Sequence, residues 1–211
     1  MKIVFFDTET TDLDNKAEVI QFAGFVMNDD FKVIDGFNLF CSTTNFISDG
    51  AKKVHGLTEE IVEKNSNGNT LEDWLSYPKY NWMLTEDDVV FIAYNASFDK
   101  RLTNQTLVKH GYRSLNFGRE VPCVPITNCQ GRYNMCMMKA ASSLYRSPRY
   151  LKLANARERG IPYGDDKLQK QYQIVCKKLN IPTYNAAFHD ALYDAFVMMM
   201  LFYNNRARLC R

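Results

Sequence analysis

Apolar residues gather along the chain in short unbroken runs separated by polar turns, and this spacing predicts the elements. Residues 2–6 make an apolar run rich in β-formers that stops at Asp7, the pattern of a central strand buried on both faces. Residues 18–27 continue in the same style, Asn28, Asp29 and Asp30 supply a turn, and residues 32–40 form the next run. Three strands joined by short turns make an antiparallel meander. The pattern then changes: residues 47–53, 58–64 and 70–81 each have capping residues at their starts and follow helical spacing. A fourth apolar run at 89–93 reads as a buried strand. Helical spacing resumes at Ser97 or Phe98 and runs through Leu102, Thr106, Leu107 and His110, with Gly111 as the stop.

Residues 121–126 read as a short fifth strand, which Pro122 and Pro125 confine to an edge. Met and Ala content makes 128–145 helical. Residues 147–166 hold Pro148, Pro162, Gly160, Gly164 and many charges, so they read as a surface loop with one helical turn near 151–158. Helices at 167–179 and 188–204 close the chain, separated by Asn180, Ile181 and Pro182. The predicted fold class is α/β, a mixed central sheet of about five strands flanked by helices, with residues 1–211 as a single domain.

Composition narrows the class. A chain of 211 residues can bury a core without disulfides, and the six cysteines (41, 123, 129, 136, 176 and 210) form no CxxC pair, so they read as reduced thiols. The first residues begin a strand at once, leaving no room for a leader, and no apolar run approaches the roughly 20 residues of a membrane helix; a cytoplasmic location is expected. Net charge is only +2, but acidic residues crowd the first half while basic ones gather from Arg132 onward, which would suit a polyanion lying across that part of the surface.

Three constellations carry candidate chemistry. Asp7 and Glu9 end the first strand two residues apart, so both point to one face, where two carboxylates repel unless a cation lies between them. Hard oxygen ligands of this kind suit magnesium or manganese. Asp99 follows Asn95 and Phe98 where the fourth strand gives way to a helix; the helix dipole alone would also favour an acid there. His189 and Asp194 stand five apart, so they meet at one point only if His189 precedes the last helix. That helix continues apolar all round as Phe196 to Phe202, so it is buried, and its acidic beginning faces something other than bulk water.

In this order the motifs resemble those of the DEDDh exonucleases, the DnaQ-like family that includes the proofreading ε subunit of bacterial DNA polymerase III. The matching segments are Asp7-Thr8-Glu9-Thr10-Thr11-Asp12-Leu13, Val54-His55-Gly56-Leu57-Thr58, Tyr94-Asn95-Ala96-Ser97-Phe98-Asp99 and His189-Asp190-Ala191-Leu192-Tyr193-Asp194-Ala195. Three departures stand out. Asp12 replaces the usual glycine, Tyr94 replaces the usual first histidine of its motif, and residues 121–128 lack the acidic Asp-Thr pair. The histidine five before the last aspartate selects the DEDDh branch over the tyrosine branch.

The resemblance implies a ribonuclease H-like fold and a metal-dependent 3′–5′ exonuclease. Asp7, Glu9, Asp99 and Asp194 would hold two divalent ions, Mg2+ or Mn2+, and His189 would take the proton of the attacking water, releasing nucleoside 5′-monophosphates. Substrate contacts would come from the backbone around Thr8 and Thr10, from His55 and Leu57, with Leu57 wedged between the last two bases, and from Asn95 and Phe98. The expected substrate is the 3′ end of a single strand, DNA ahead of RNA, with the stretch from Arg132 through Arg159 tracking the upstream backbone. A noncovalent polymerase or replication partner is a further expectation. Three other readings stand beside this one: a 3′–5′ exoribonuclease, a catalytically idle nucleic-acid-binding accessory subunit, and a small-molecule phosphodiesterase.

Overall fold

The structure is a computed structural model that describes residues 1–124, 131–184 and 189–209. A six-stranded sheet organises it, in the order β3-β2-β1-β4-β6-β5. Its strands are β1 (Lys2–Thr10), β2 (Val19–Met27), β3 (Val33–Phe40), β4 (Val89–Ala93), β5 (Arg119–Glu120) and β6 (Arg132–Cys136). β1, β2 and β3 form the antiparallel meander expected from their spacing, whereas β4 joins the other side of β1 in parallel and β6 follows β4 in parallel.

Nine helices are described: α1 (Asp49–His55), α2 (Glu59–Ser66), α3 (Leu71–Ser76), α4 (Trp82–Thr85), α5 (Ala96–Lys109), α6 (Met137–Leu144), α7 (Leu153–Gly160), α8 (Asp165–Leu179) and α9 (Ala191–Leu209). The strand period of two divides β1 between two cores. Ile3 and Phe5 pack with α9 on one face, where Phe5 meets Phe202 at 5.3 Å and Phe25 meets Phe196 at 5.7 Å. Val4 and Phe6 face the other way, into a cluster with Leu102 and Leu107 of α5. Phe6 stacks there on Phe117 at 5.6 Å. Each fully buried side chain of this size contributes roughly 1.5–3 kcal/mol, so β1 is pinned from both sides.

Four expectations need correction. The segment read as helical over 128–145 contains a sixth strand, β6, and becomes helix only at Met137; residues 128–130 lie outside the described residues. Arg132 opens β6 with its guanidinium buried and donating to the carbonyls of Met83, Glu86 and Asn116. That clamp substitutes for the apolar run a buried strand ordinarily shows. The edge strand expected at 121–126 lies one step earlier, at β5, and the Val121 N–H still bonds the ladder, to the Asn134 carbonyl; residues 125 and 126 are outside the described set.

The loop read at 147–166 holds a two-turn helix, α7, packed on α9. Gly160 makes that approach feasible, because a Cβ there would overlap Leu201 and the Tyr145 hydroxyl. The helix expected at 70–81 stops at Ser76, before Tyr77 and Pro78. α5 ends before Gly111 at φ 79°, as its sequence predicts. Cys41, Cys136 and Cys176 are buried free thiols and Cys123 is half-buried and free; Cys129 and Cys210 lie outside the described residues. Among the described residues no helix is long and apolar enough to cross a membrane.

Candidate active site

β1 changes character halfway. After Phe6 it carries Asp7, Thr8, Glu9 and Thr10, and its pairing with β2 slips between Glu9, opposite Gln21, and Thr10, opposite Val19. Such an irregularity bends the strand and re-aims its last side chains. Parallel to it, β4 ends at Ala93, and the chain turns through Tyr94 and Asn95 into α5, placing Asp99 in the first helical turn. Asp194 sits in the first turn of α9, and His189 precedes that helix, as the five-residue spacing requires. His189 has a left-handed backbone, φ 67°, and its N–H donates to Asp194 Oδ2 at 3.2 Å. Residues far apart in sequence thus meet beyond the carboxyl ends of two parallel strands, where open α/β sheets bind ligands.

Asp7, Glu9, Asp99, Asp194 and His189 all line one cavity of about 880 Å³. Glu9 is 8% exposed and Asp99 2%, while Asp7 and Asp194 are half-buried. Burial pushes the Asp7 carboxyl well above the usual range, and the charges of Asp99, Asp194, Glu9 and Asp190 push it further. Glu9 is raised for the same reasons, burial first. Asp99 and Asp194 are each lifted to about 7, again mainly by burial. Hydrogen bonds oppose the rise in both, from the Thr8 hydroxyl to Asp99 Oδ1 at 2.9 Å and from the His189 N–H to Asp194.

Among the described residues no three His, Cys, Asp or Glu side chains are drawn into a finished coordination cage. The four carboxylates instead share a cavity and a field. Asp194 Oδ1 is buried there with no hydrogen-bond partner, and every donor in the set is a hard carboxylate oxygen. Both features fit a divalent cation.

The remaining candidates divide. Thr8, Thr10, His55, Asn95 and Phe98 line the cavity. Thr10 and His55 are also structural: the Thr10 hydroxyl donates to the Asp12 carbonyl, and His55 accepts from Leu57 N–H at Nδ1. Its Nε2 must then carry the proton, donated to the Thr10 carbonyl at 3.2 Å. Burial lowers the His55 pKa and favours that neutral ring. Asn95 is the exposed N-cap of α5, and Phe98 is half-buried under Arg101.

Leu57 does not reach the cavity. It is 1% exposed in a satellite core with Ile20, Phe40, Ile47 and Val62, because Gly56, at φ 74°, turns the chain inward after α1. The exposed Val54, one helical turn earlier, lines the cavity in its place, together with Leu13. Asp12, standing where glycine is usual, closes its turn by accepting the Leu13 N–H on its own carboxylate at 2.7 Å, without a left-handed backbone.

The basic track also needs correction at two positions. Arg132 is consumed by the carbonyls described above, and Arg157 is buried, bonded to the Tyr163 carbonyl and paired with Asp165 at 2.6 Å. Arg146, Arg149, Lys152 and Arg159 remain exposed. Asp190 caps α9, accepting from Tyr193 N–H at 3.0 Å, and its charge also bears on Asp7, Glu9 and Asp194. Tyr150, Leu151 and Lys152 were not singled out for the site, yet they line the cavity from the segment between α6 and α7. An exposed aromatic among Arg149 and Lys152 was the available signal.

Comparison with known proteins agrees with this geometry. The family model RNase_T, described as an exonuclease, matches residues 4–202. An uncharacterized exonuclease, CP81 of Escherichia phage 186, is 29% identical over 124 residues, covering 54% of this chain and 53% of the relative. The PolC-type DNA polymerase III of Staphylococcus haemolyticus strain JCSC1435 is 30% identical over 115 residues, 54% of this chain and 7% of that protein. The match thus spans about half of one relative and a small segment of the other. Among solved structures, E. coli exonuclease I, in a zinc-bound complex with single-stranded DNA, superposes with a TM-score of 0.65 at 17% identity. That match covers 99% of this chain and 42% of exonuclease I. Exonuclease X in complex with 5′-overhanging duplex DNA gives 0.55 at 22%, covering 98% and 91%. The likeness to both shows a shared fold, and metal dependence is a property of the family.

Proposed function

This chain belongs to the RNase_T exonuclease family, and from that premise we propose that it is a metal-dependent 3′–5′ exonuclease acting on single-stranded DNA. One observation carries the proposal: four carboxylates from β1, α5 and α9, with His189 beside them, line a single cavity. Buried anions in that number raise one another's pKa, a cost that cations would remove. Asp7, Glu9, Asp99 and Asp194 would hold two divalent ions, Mg2+ or Mn2+. Such ions, when bound, favour ionised water and stabilise charge on the attacking and leaving oxygens of a phosphodiester.

The protein's own groups do the rest. His189, solvent-exposed at the cavity, takes the proton of the attacking water as its oxygen bonds to phosphorus. The bond from phosphorus to the 3′ oxygen of the penultimate nucleotide breaks, that oxygen is protonated from solvent, and a nucleoside 5′-monophosphate leaves. His55 braces the Thr10 carbonyl, and Thr8 braces Asp99. DNA is preferred to RNA in this reading because similar solved structures include DNA complexes. Residues 1–211 act as one exonuclease domain in the cytoplasm. A noncovalent polymerase partner accords with the polymerase relative.

The test is a denaturing-gel time course on 5′-labelled DNA and RNA of one sequence, with Mg2+, Mn2+ or chelator. The expected result is a ladder shortening from the 3′ end of DNA, abolished by chelator and reduced about 10²–10⁴-fold in His189→Ala. A ladder on RNA alone would make it an exoribonuclease. Binding without cleavage, or full activity in Asp7→Ala, would overturn the catalytic assignment.

A further inference from the structure

Three large side chains line the cavity while remaining mostly bare: Leu13 is 70% exposed, Val54 55% and Tyr150 65%. Large apolar groups gathered at a concave site and left this exposed among the described residues mark a surface built for a ligand. Tyr150 differs from the other two in how it is held. The segment that carries it, residues 145–152, leaves α6 through a left-handed Arg146 at φ 50° and is then fastened on both sides. On the near side, Ser147 N–H bonds the Ser142 carbonyl at 2.9 Å and the Ser147 hydroxyl bonds the Arg149 carbonyl at 2.6 Å. On the far side, Leu151 is buried, its N–H donates to the Ser142 hydroxyl at 3.0 Å, and its carbonyl accepts from the Tyr94 hydroxyl at 2.7 Å.

An exposed ring on a segment anchored this thoroughly is presented in advance, which reduces the entropy lost when something packs on it. Tyr94 supplies the final anchor from the site itself, since it also lines the cavity. Beside the ring, Lys152 is exposed and lines the same cavity, so an aromatic face and a cation stand together over a floor of carboxylates. A nucleobase has a π-face for the first and its strand has a phosphate for the second.

We propose that Tyr150 is a stacking platform for one unpaired base of the substrate strand, held in place by the Tyr94–Leu151–Ser142 anchor, with Lys152 taking an adjacent phosphate. This rests on the exonuclease reading and names how the site selects an unpaired strand. A base within a duplex has both faces covered by its neighbours in the stack and cannot lie on the ring.

The test measures binding in chelator, so that cleavage does not intervene, using fluorescence anisotropy with a 12-nucleotide single-stranded DNA. Each of the last four positions is in turn made abasic or replaced by 2-aminopurine. In the wild type, 2-aminopurine fluorescence should be quenched at one position, and an abasic site there should weaken binding about tenfold. Tyr150→Ala should weaken the intact strand about tenfold and the strand abasic at that position hardly further, while Tyr150→Phe retains binding. Lys152→Ala should lower the salt dependence by about one counterion. Unchanged affinity in Tyr150→Ala, or an equal loss on every abasic strand, would overturn the platform. If the wild type still cut DNA from the 3′ end, the exonuclease reading would survive that result. A wild type that neither bound nor cut the strand would overturn both.

Discussion

The two halves of β1 obey opposite rules. Ile3 to Phe6 are apolar, divided between two cores and packed against α9 and α5, so each contributes to stability. Asp7 to Thr10 are polar, and burial, followed by a field of like charges, raises the pKa of the two acids among them, so ionising them costs stability. The contrast teaches how a small protein can hold several anions in one place. The first half anchors the strand so firmly that the second half can be strained electrostatically without letting go.

The comparison breaks first on substitutions of opposite sign. Phe5→Ala removes a ring in contact with Phe202 and should cost about 3–5 kcal/mol, read as a lower midpoint in chemical denaturation. Asp7→Asn removes a charge that the site resists, and in chelator it should stabilise the protein by about 1–2 kcal/mol, a rise of a few degrees in Tm. Millimolar Mg2+ or Mn2+ should raise the Tm of the wild type more than that of Asp7→Asn. A loss of apo stability in Asp7→Asn would show that the carboxylate has a structural role instead.

Acidity sharpens the same contrast through Glu18. Its carboxylate is buried at the start of the β2 segment; burial alone would raise its pKa, but Lys109, Thr43 and His110 surround it and bring it below the ordinary value. A lowered folded-state pKa gives stability that is present above the unfolded value, about 4.3, and lost as pH falls through the folded one. Asp99 and Asp194, raised to about 7, behave the other way, giving stability below the unfolded value that is lost as pH rises through 7. In chelator, stability should therefore climb from pH 8 to about 5 and fall again below about 4. Glu18→Gln should flatten the acid limb and cost about 1 kcal/mol at neutral pH, a modest figure because Lys109 and His110 are partly exposed. An unchanged acid limb would show that other carboxylates set it.

What the sequence made legible follows from the same physics. Strands β1 to β4 announce themselves by apolar runs, and the carboxylates by their spacing at strand and helix ends. β6 was hidden because a buried Arg132 clamp stands where an apolar residue would, and α7 because its stability comes from packing Ala156 and Gly160 on α9, not from its own charged sequence. Leu57 illustrates a different limit: a leucine in the expected motif is chemically suited to either a core or a wedge, and only the turn at Gly56 decides.

Tyr94 gives the smallest and most local test. Burial pushes its phenol pKa upward, so it remains a hydrogen-bond donor at all working pH values. Its hydroxyl gives that proton to the Leu151 carbonyl, joining the end of β4 to the segment that carries Tyr150. Tyr94→Phe keeps the ring and removes only this bond, so global stability should fall by about 1 kcal/mol. The effect on the segment should be larger than on the fold: faster amide exchange near residues 147–152 and a few-fold weaker binding of single-stranded DNA, with β1 and α9 protected as before. If exchange accelerated everywhere instead, the bond would be part of the core, and the polar end of the strand would not be as separable from the apolar one as the packing on α9 and α5 implies.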